Sequence, residues 1–154
     1  MVENVLSLEN ARIIFRNFSG KEGRYNREGD RSFCVLLDNE QLTEDLIEDG
    51  WNVRILKPRE EGDEPKKYMS VDVSYRNIPP KIFMITEKNK VLLNEDTVGN
   101  LDYADIRTAD LIIRPYNWEV NGKRGVKAYL KTAYITIDED RFASKYEGDS
   151  DAPF

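Results

Sequence analysis

The chain has no histidine and a single cysteine, Cys34, among its 154 residues. Without imidazole, no catalytic device that needs a histidine general base is available, and one thiol with no histidine lacks the usual Cys/His ligand set, so a zinc site is not expected. A lone cysteine also rules out an intrachain disulfide and suits a reducing compartment. Within SFCVLLD it reads as a core residue rather than a nucleophile. No apolar run approaches the length of about 18 residues that suggests a membrane span. The first ten residues, MVENVLSLEN, lack a basic segment followed by an apolar one, so neither membrane insertion nor export is expected. There is no Gly-Lys-Ser/Thr phosphate loop to support nucleotide hydrolysis, and no internal repeat.

What is present is charge, at 34% of residues, with a formal net value of −6. Its distribution matters more than its sum. From Asp138 onward there are six acidic residues and two basic ones, a balance of −4, which leaves −2 on the residues before it. A near-neutral body thus precedes an acidic end. Length and a 40% hydrophobic content fit one domain with an ordinary core.

Along that body, Ala11 to Phe18 reads as a strand, with Ala11, Ile13 and Phe15 toward the core and Arg12, Ile14 and Arg16 away from it. A Gly-rich loop, Ser19 to Asp30, carries Lys21, Arg24, Tyr25 and Arg27. Arg31 to Leu37 follows as a strand buried on both faces. DNEQLTEDLIEDG predicts a helix with Asp38 or Asn39 as cap, Leu42, Leu46 and Ile47 on one side, and Gly50 as stop. Further strands are expected over 51–56 and 68–75, and a hairpin over 81–93 around EKNK. A helical turn is expected within 94–108 and another within 138–146. About seven short strands with one helix indicate a mainly β fold, preferably a five-stranded Greek-key barrel of the OB type with extra hairpins.

The strongest local signal is ADLIIRPYNWEV, NGKRG and VKAYLKTAYITI, two β-prone runs around an Asn-Gly. A two-residue loop at Asn121-Gly122 sets Tyr116 across from Lys127 and Arg114 across from Tyr129. A four-residue loop shifts the partners but keeps the faces, and a three-residue loop would flip one strand. In either of the first two cases Arg114, Tyr116, Trp118, Lys127, Tyr129 and Lys131 share one face. Positive charge along a path, interleaved with flat π-faces, is what single-stranded nucleic acid needs, and such stacking is nearly indifferent to sequence. Arg12, Arg16, Lys21, Arg24, Tyr25 and Arg27 are candidates to extend the track. The competing use of Tyr116 and Trp118 is packing under another element or against a second subunit.

The last eight residues, EGDSDAPF, are too polar to fold alone. They divide the chain into a domain over 1–146 and a flexible tail over 147–154. The tail can offer Phe154 to an apolar pocket with a basic rim, or compete with nucleic acid for the protein's own cations.

Basic-aromatic β body and acidic Pro-Phe tail together resemble the single-stranded-DNA-binding proteins of bacteria and their phages. Asp149, Asp151, Pro153 and Phe154 match that family's tail ending, while Ala152 stands where an aliphatic residue is expected. In size and single copy of the fold the chain is more similar to phage helix-destabilising proteins of the T7 type. The resemblance implies a non-enzymatic, sequence-nonspecific binder of single-stranded DNA in phage replication and recombination. It also implies a tail read by a polymerase, helicase or primase, and a place in the host cytoplasm. No cofactor or metal is implied, and a homodimer is compatible with it. Two alternatives have their own sequence features. One is a viral assembly protein using the hairpin face as a subunit contact. The other is a metal-dependent nuclease drawing on Asp102, Asp105, Asp110, Asp138, Glu139 and Asp140.

Overall fold

Turn residues cut the apolar pattern of this chain into short pieces, and the computed structural model, which describes residues 3–24, 26–58, 60–76 and 78–138, forms them into nine strands. These are β1 (Leu6–Leu8), β2 (Arg12–Asn17), β3 (Arg31–Leu37), β4 (Val53–Leu56), β5 (Lys66–Val73), β6 (Lys81–Ile85), β7 (Lys90–Leu93), β8 (Ile106–Val120) and β9 (Lys123–Ile137). One helix, α1 (Glu40–Glu48), and a 3-10 turn, Val98–Asp102, complete the described elements. The helical turn expected within 138–146 and the acidic tail lie outside the described residues. Among the described residues no helix is long and apolar enough to cross a membrane.

The main sheet runs β1-β8-β9-β5-β3-β2. Its two edge strands are halves of one N-terminal segment, bent at Asn10, whose φ of 49° is left-handed. At the bend Ala11 N donates to Ala109 O at 2.7 Å and Asn10 N to Asp110 Oδ1 at 2.8 Å, so the segment bridges from the β8 edge to the β3 edge. The sheet is thereby curled around a single core, in which the N-terminal segment, β3, β5, β8 and β9 act as five barrel strands. β5 and β9 meet in parallel, Val71 opposite Ala128 and Asp72 opposite Tyr129, while the other barrel pairs are antiparallel. This is the expected Greek-key barrel. β4 on β5, and the β6–β7 hairpin running parallel to the far half of β9, are the extra pieces.

Alternation supplies the core: Phe33, Val35 and Leu37 from β3, Met69, Val71 and Val73 from β5, and Val126, Ala128 and Leu130 from β9 are all buried. The second face of β3 is half-buried rather than fully buried as expected. α1 is capped by Asn39, whose side chain accepts from Leu42 N, and Gly50 follows it at φ 92°. Leu46 and Thr43 are its buried residues; Ile47, expected beside Leu46, is exposed. Trp51 is buried but forms only a bridge to Val126, so the third predicted strand begins two residues late. β1 lies in what reads as a polar lead.

Phe15 is a larger correction. It was expected inside, yet it is 60% exposed, has φ 51°, and lies in a bulge between Ile14 and Asn17. The bulge lets Phe18 take the interior place, where its ring stacks on Phe33 at 5.2 Å. A second bulge leaves Lys131 without a partner across the hairpin, since Ile112 faces Thr132 and Ile113 faces Leu130. It shifts the phase of β9 by one residue, so that Ala133 and Ile135 point inward instead of Thr132 and Tyr134.

Candidate nucleic-acid interface

Asn121 at φ 51° and Gly122 at φ 80° give both central residues of the hairpin turn the left-handed backbone that an Asn-Gly favours. The loop is therefore two residues long, and Tyr116 faces Lys127, Arg114 faces Tyr129, and Trp118 faces Gly125. Three rungs of one face follow in order. At the tip the indole of Trp118 lies on Gly125, where an added Cβ would come within 2.5 Å of the ring. One face of the indole is thus spent on the backbone, and the side chain remains 36% exposed. Next, Tyr116 is 53% exposed and meets Tyr129 edge-on at 5.9 Å. At the foot, the Arg114 guanidinium sits 4.7 Å from the centroid of Tyr129, with Lys127 Nζ at 5.4 Å. Tyr129 is half-buried beneath these groups. The exposed rings are Tyr116 and Trp118; Tyr129 supports the cations.

Lys127 also donates to Asp72 Oδ2 at 2.8 Å, and this bond holds its ammonium pKa above the usual lysine value. The cation is kept, but a carboxylate competes for it. Asp72→Asn is expected to raise single-stranded-DNA affinity a few-fold, because Lys127 then meets a phosphate without first leaving a carboxylate. Titrations of both proteins test it; unchanged affinity would mean that Lys127 makes no phosphate contact.

Register carries this face across the barrel. Arg114, Tyr129, Asp72 and Ser32 form one row, Ser70, Cys34 and Ile14 the next, and Arg54, Tyr68, Leu36 and Arg12 a third. Phe15, turned out by its bulge, meets Tyr68 edge-on at 6.1 Å. An aromatic pair with Arg12 and Arg54 in the same row thus stands across the outer face from the hairpin. Tyr68 is legible from the alternation of YMSVDVSY; Phe15 has no sequence signal, because the bulge is a tertiary event. Cys34 lies on this outer face and is half-buried, with burial pushing its thiol pKa up. A third cluster stands further along β9, where Phe83 and Tyr134 stack at 5.2 Å and Lys90 lies 4.5 Å from the Phe83 centroid.

The remaining sequence candidates are less uniform. Arg16 Nη1 donates to Leu101 O at 2.8 Å and Ala104 O at 2.6 Å, so it ties β2 to the 3-10 turn instead of joining the hairpin face. Lys21 lies over the ring of exposed Tyr103 at 4.7 Å and donates to its hydroxyl, away from the hairpin rungs. Arg24 and Arg27 are exposed on the loop, Lys131 is exposed at its bulge, and Tyr25 falls outside the described residues. The proposed metal acids have other roles: Asp102 accepts from Phe18 N, Ser19 N and Ser19 Oγ, and Asp110 from Asn10 N. Glu139, Asp140 and the tail residues Asp149, Asp151, Pro153 and Phe154 lie outside the described residues.

The family model for a phage ssDNA-binding domain matches residues 1–153. The chain belongs to that family. As a phage ssDNA-binding domain it is a non-enzymatic binding protein, which leaves no place for the nuclease alternative. Its fold is shared with the single-stranded DNA-binding protein from bacteriophage Enc34. That protein's complex with ssDNA aligns at a TM-score of 0.59 and 15% identity, over 90% of this chain and 89% of that one. Another structure of the Enc34 protein aligns at 0.56 and 16%, over 96% and 89%. Bacteriophage T7 gp2.5, a single-stranded DNA binding protein, aligns over 99% of this chain and 98% of that one at 7% identity and a TM-score of 0.44. No curated protein matches the sequence.

Proposed function

We propose that this chain binds single-stranded DNA with little dependence on sequence, in phage DNA replication and recombination. The observation that carries the reading is the hairpin face, where exposed Tyr116 and Trp118 stand in register with Arg114 and Lys127. Bases stack on the two rings, and the cations take phosphates. Arg12, Arg54, Tyr68 and Phe15 continue the strand's path over the outer face. An aromatic residue held at φ 51° costs about 1–3 kcal/mol, a strain that is reasonable where the ring is wanted outside.

About four phosphate contacts correspond to a salt slope near −3, so affinity should drop about fiftyfold between roughly 50 and 200 mM salt. Titration of intrinsic fluorescence with oligo-dT at those two concentrations tests the reading. Trp51 is buried and Trp118 exposed, so quenching of the tryptophan emission by a contacting base is read at Trp118. Absence of quenching together with salt-independent binding would sink it.

In the same proposal the acidic tail recruits a polymerase, helicase or primase through Asp149, Asp151, Pro153 and Phe154. It also competes with DNA for the hairpin cations, and either a monomer or a homodimer can work this way. The support is its composition and its Pro-Phe ending. Truncation after Tyr146 is expected to tighten oligo-dT binding several-fold at low salt; unchanged affinity there would remove the self-competition.

A further inference from the structure

We propose that the bound strand continues past the foot of the hairpin, along the outer face of β9, to a second station formed by Phe83, Tyr134 and Lys90. This rests on the single-stranded-DNA reading above and extends its path. Strict alternation would have kept the two places on opposite faces. On the tip half of β9 the outward residues are Gly125, Lys127 and Tyr129, and in that phase Tyr134 would point into the core. The bulge at Lys131 shifts the phase, so that Ala133 and Ile135 are buried and Tyr134 stands on the face of Tyr129. Parallel pairing adds β6 to that face, with Lys81 beside Thr132 and Phe83 beside Tyr134. β7 follows, with Leu92 opposite Phe83 and Lys90 one rung on, opposite Ile85.

At the station the Phe83 and Tyr134 rings are stacked, 6° from parallel at 5.2 Å, and both are partly exposed. Lys90 Nζ lies 4.5 Å from the Phe83 centroid and 5.2 Å from that of Tyr134. A cross-strand aromatic pair can serve the sheet alone. That use leaves the cations around it unexplained. Lys81, Lys90 and Lys131 are all exposed, and none forms an ion pair among the described residues. Arg124, Lys127 and Arg31, by contrast, each face a carboxylate. In a chain of net charge −6, unpaired lysines leading along one strand to a ring pair suit a polyanion that carries flat bases.

From Trp118 to Asp110, which faces Tyr134, β8 runs eight residues, about 27 Å at about 3.4 Å each. A stacked strand covers that with about eight nucleotides, inside the range of about 4–16 for one OB fold. The lysine contacts come in addition to the four counted above, whose slope near −3 belongs to strands too short to reach Lys90.

The test measures anisotropy with oligo-dT of about fifteen residues and of about five, chosen to exceed and to fall short of that span. It uses the full chain and its Lys81→Ala/Lys90→Ala variant. The long strand is expected to lose about tenfold in affinity at roughly 0.1 M salt, with a salt slope shallower by about 1.4, two phosphate contacts. The short strand, held by the hairpin rungs, should change by less than about twofold. Lys131→Ala, at the unpaired bulge position, should repeat the length-selective loss with about half the slope change. Ultraviolet cross-linking of the long strand to the parent should label a peptide carrying Phe83 or Tyr134 as well as the one carrying Trp118. Equal weakening of both lengths in both variants overturns the station, as does weakening of neither, or labelling confined to the hairpin. If Trp118→Ala meanwhile weakens both lengths, the broader reading stands without the station. If the parent binds neither strand, both fail.

Discussion

A protein carrying Tyr116→Ala and Trp118→Ala together should bind oligo-dT about a hundredfold or more weakly than the parent. Each base–aromatic stack contributes about 1–3 kcal/mol, and about 1.4 kcal/mol is a factor of ten. Both rings are exposed at the projecting end of the hairpin, so their loss removes little packing from the core. Thermal unfolding should therefore change little while affinity collapses, which separates this pair from residues that act through stability. Gly125→Ala provides an independent approach to the same rung. Its Cβ would lie 2.5 Å from one indole carbon and 2.6 Å from another, so the ring of Trp118 must lift off the strand. Affinity should fall here too, with no aromatic atom removed. A double variant that keeps affinity within about threefold of the parent would place the stacking surface elsewhere.

The parts of this site that were legible in the sequence are those set by local chemistry. Either even-length loop around Asn121-Gly122 puts the same side chains on one face, which is what the sequence shows. The left-handed backbone at both residues then selects the two-residue loop, and with it Tyr116 opposite Lys127. The α1 cap at Asn39 and its stop at Gly50 are local in the same sense. What was hidden depends on partners far along the chain. Phe15 fits the alternation of ARIIFRNF as a core residue, and only the competing claim of Phe18 for that space, expressed as a bulge, turns it out. β1, three residues long, has no periodicity to read and is a strand because β8 presents an edge to it. Charge type alone was the least reliable guide. Arg16 and Arg114 both alternate with apolar residues on β-strands, yet one is spent on carbonyls and the other lies on the hairpin face.

That contrast yields the largest expected stability effect. Asp102→Ala should cost about 3 kcal/mol, and Arg16→Ala a similar amount, with ssDNA affinity within about twofold of the parent well below the melting temperature. The Asp102 carboxylate accepts from Phe18 N at 2.6 Å, Ser19 N at 3.1 Å and Ser19 Oγ at 2.6 Å. Without it two backbone N–H groups beside the buried Phe18 ring lose their acceptor. Arg16 works from the other side, holding Leu101 O and Ala104 O, so the pair clamps the end of β2 onto the 3-10 turn. In a domain of this size 3 kcal/mol corresponds to a fall of about 6–12 °C in melting temperature. Hydrogen bonds to a charged group contribute about 1.5–3 kcal/mol each, so Asp102→Asn, which keeps a carbonyl acceptor, should recover part of the loss. Scanning calorimetry with parallel oligo-dT titrations separates the roles. Unchanged melting with weakened binding in Arg16→Ala would return Arg16 to the DNA track, whereas a melting temperature of the parent raised by Mg²⁺ and insensitive to it in Asp102→Ala would return Asp102 to a metal site.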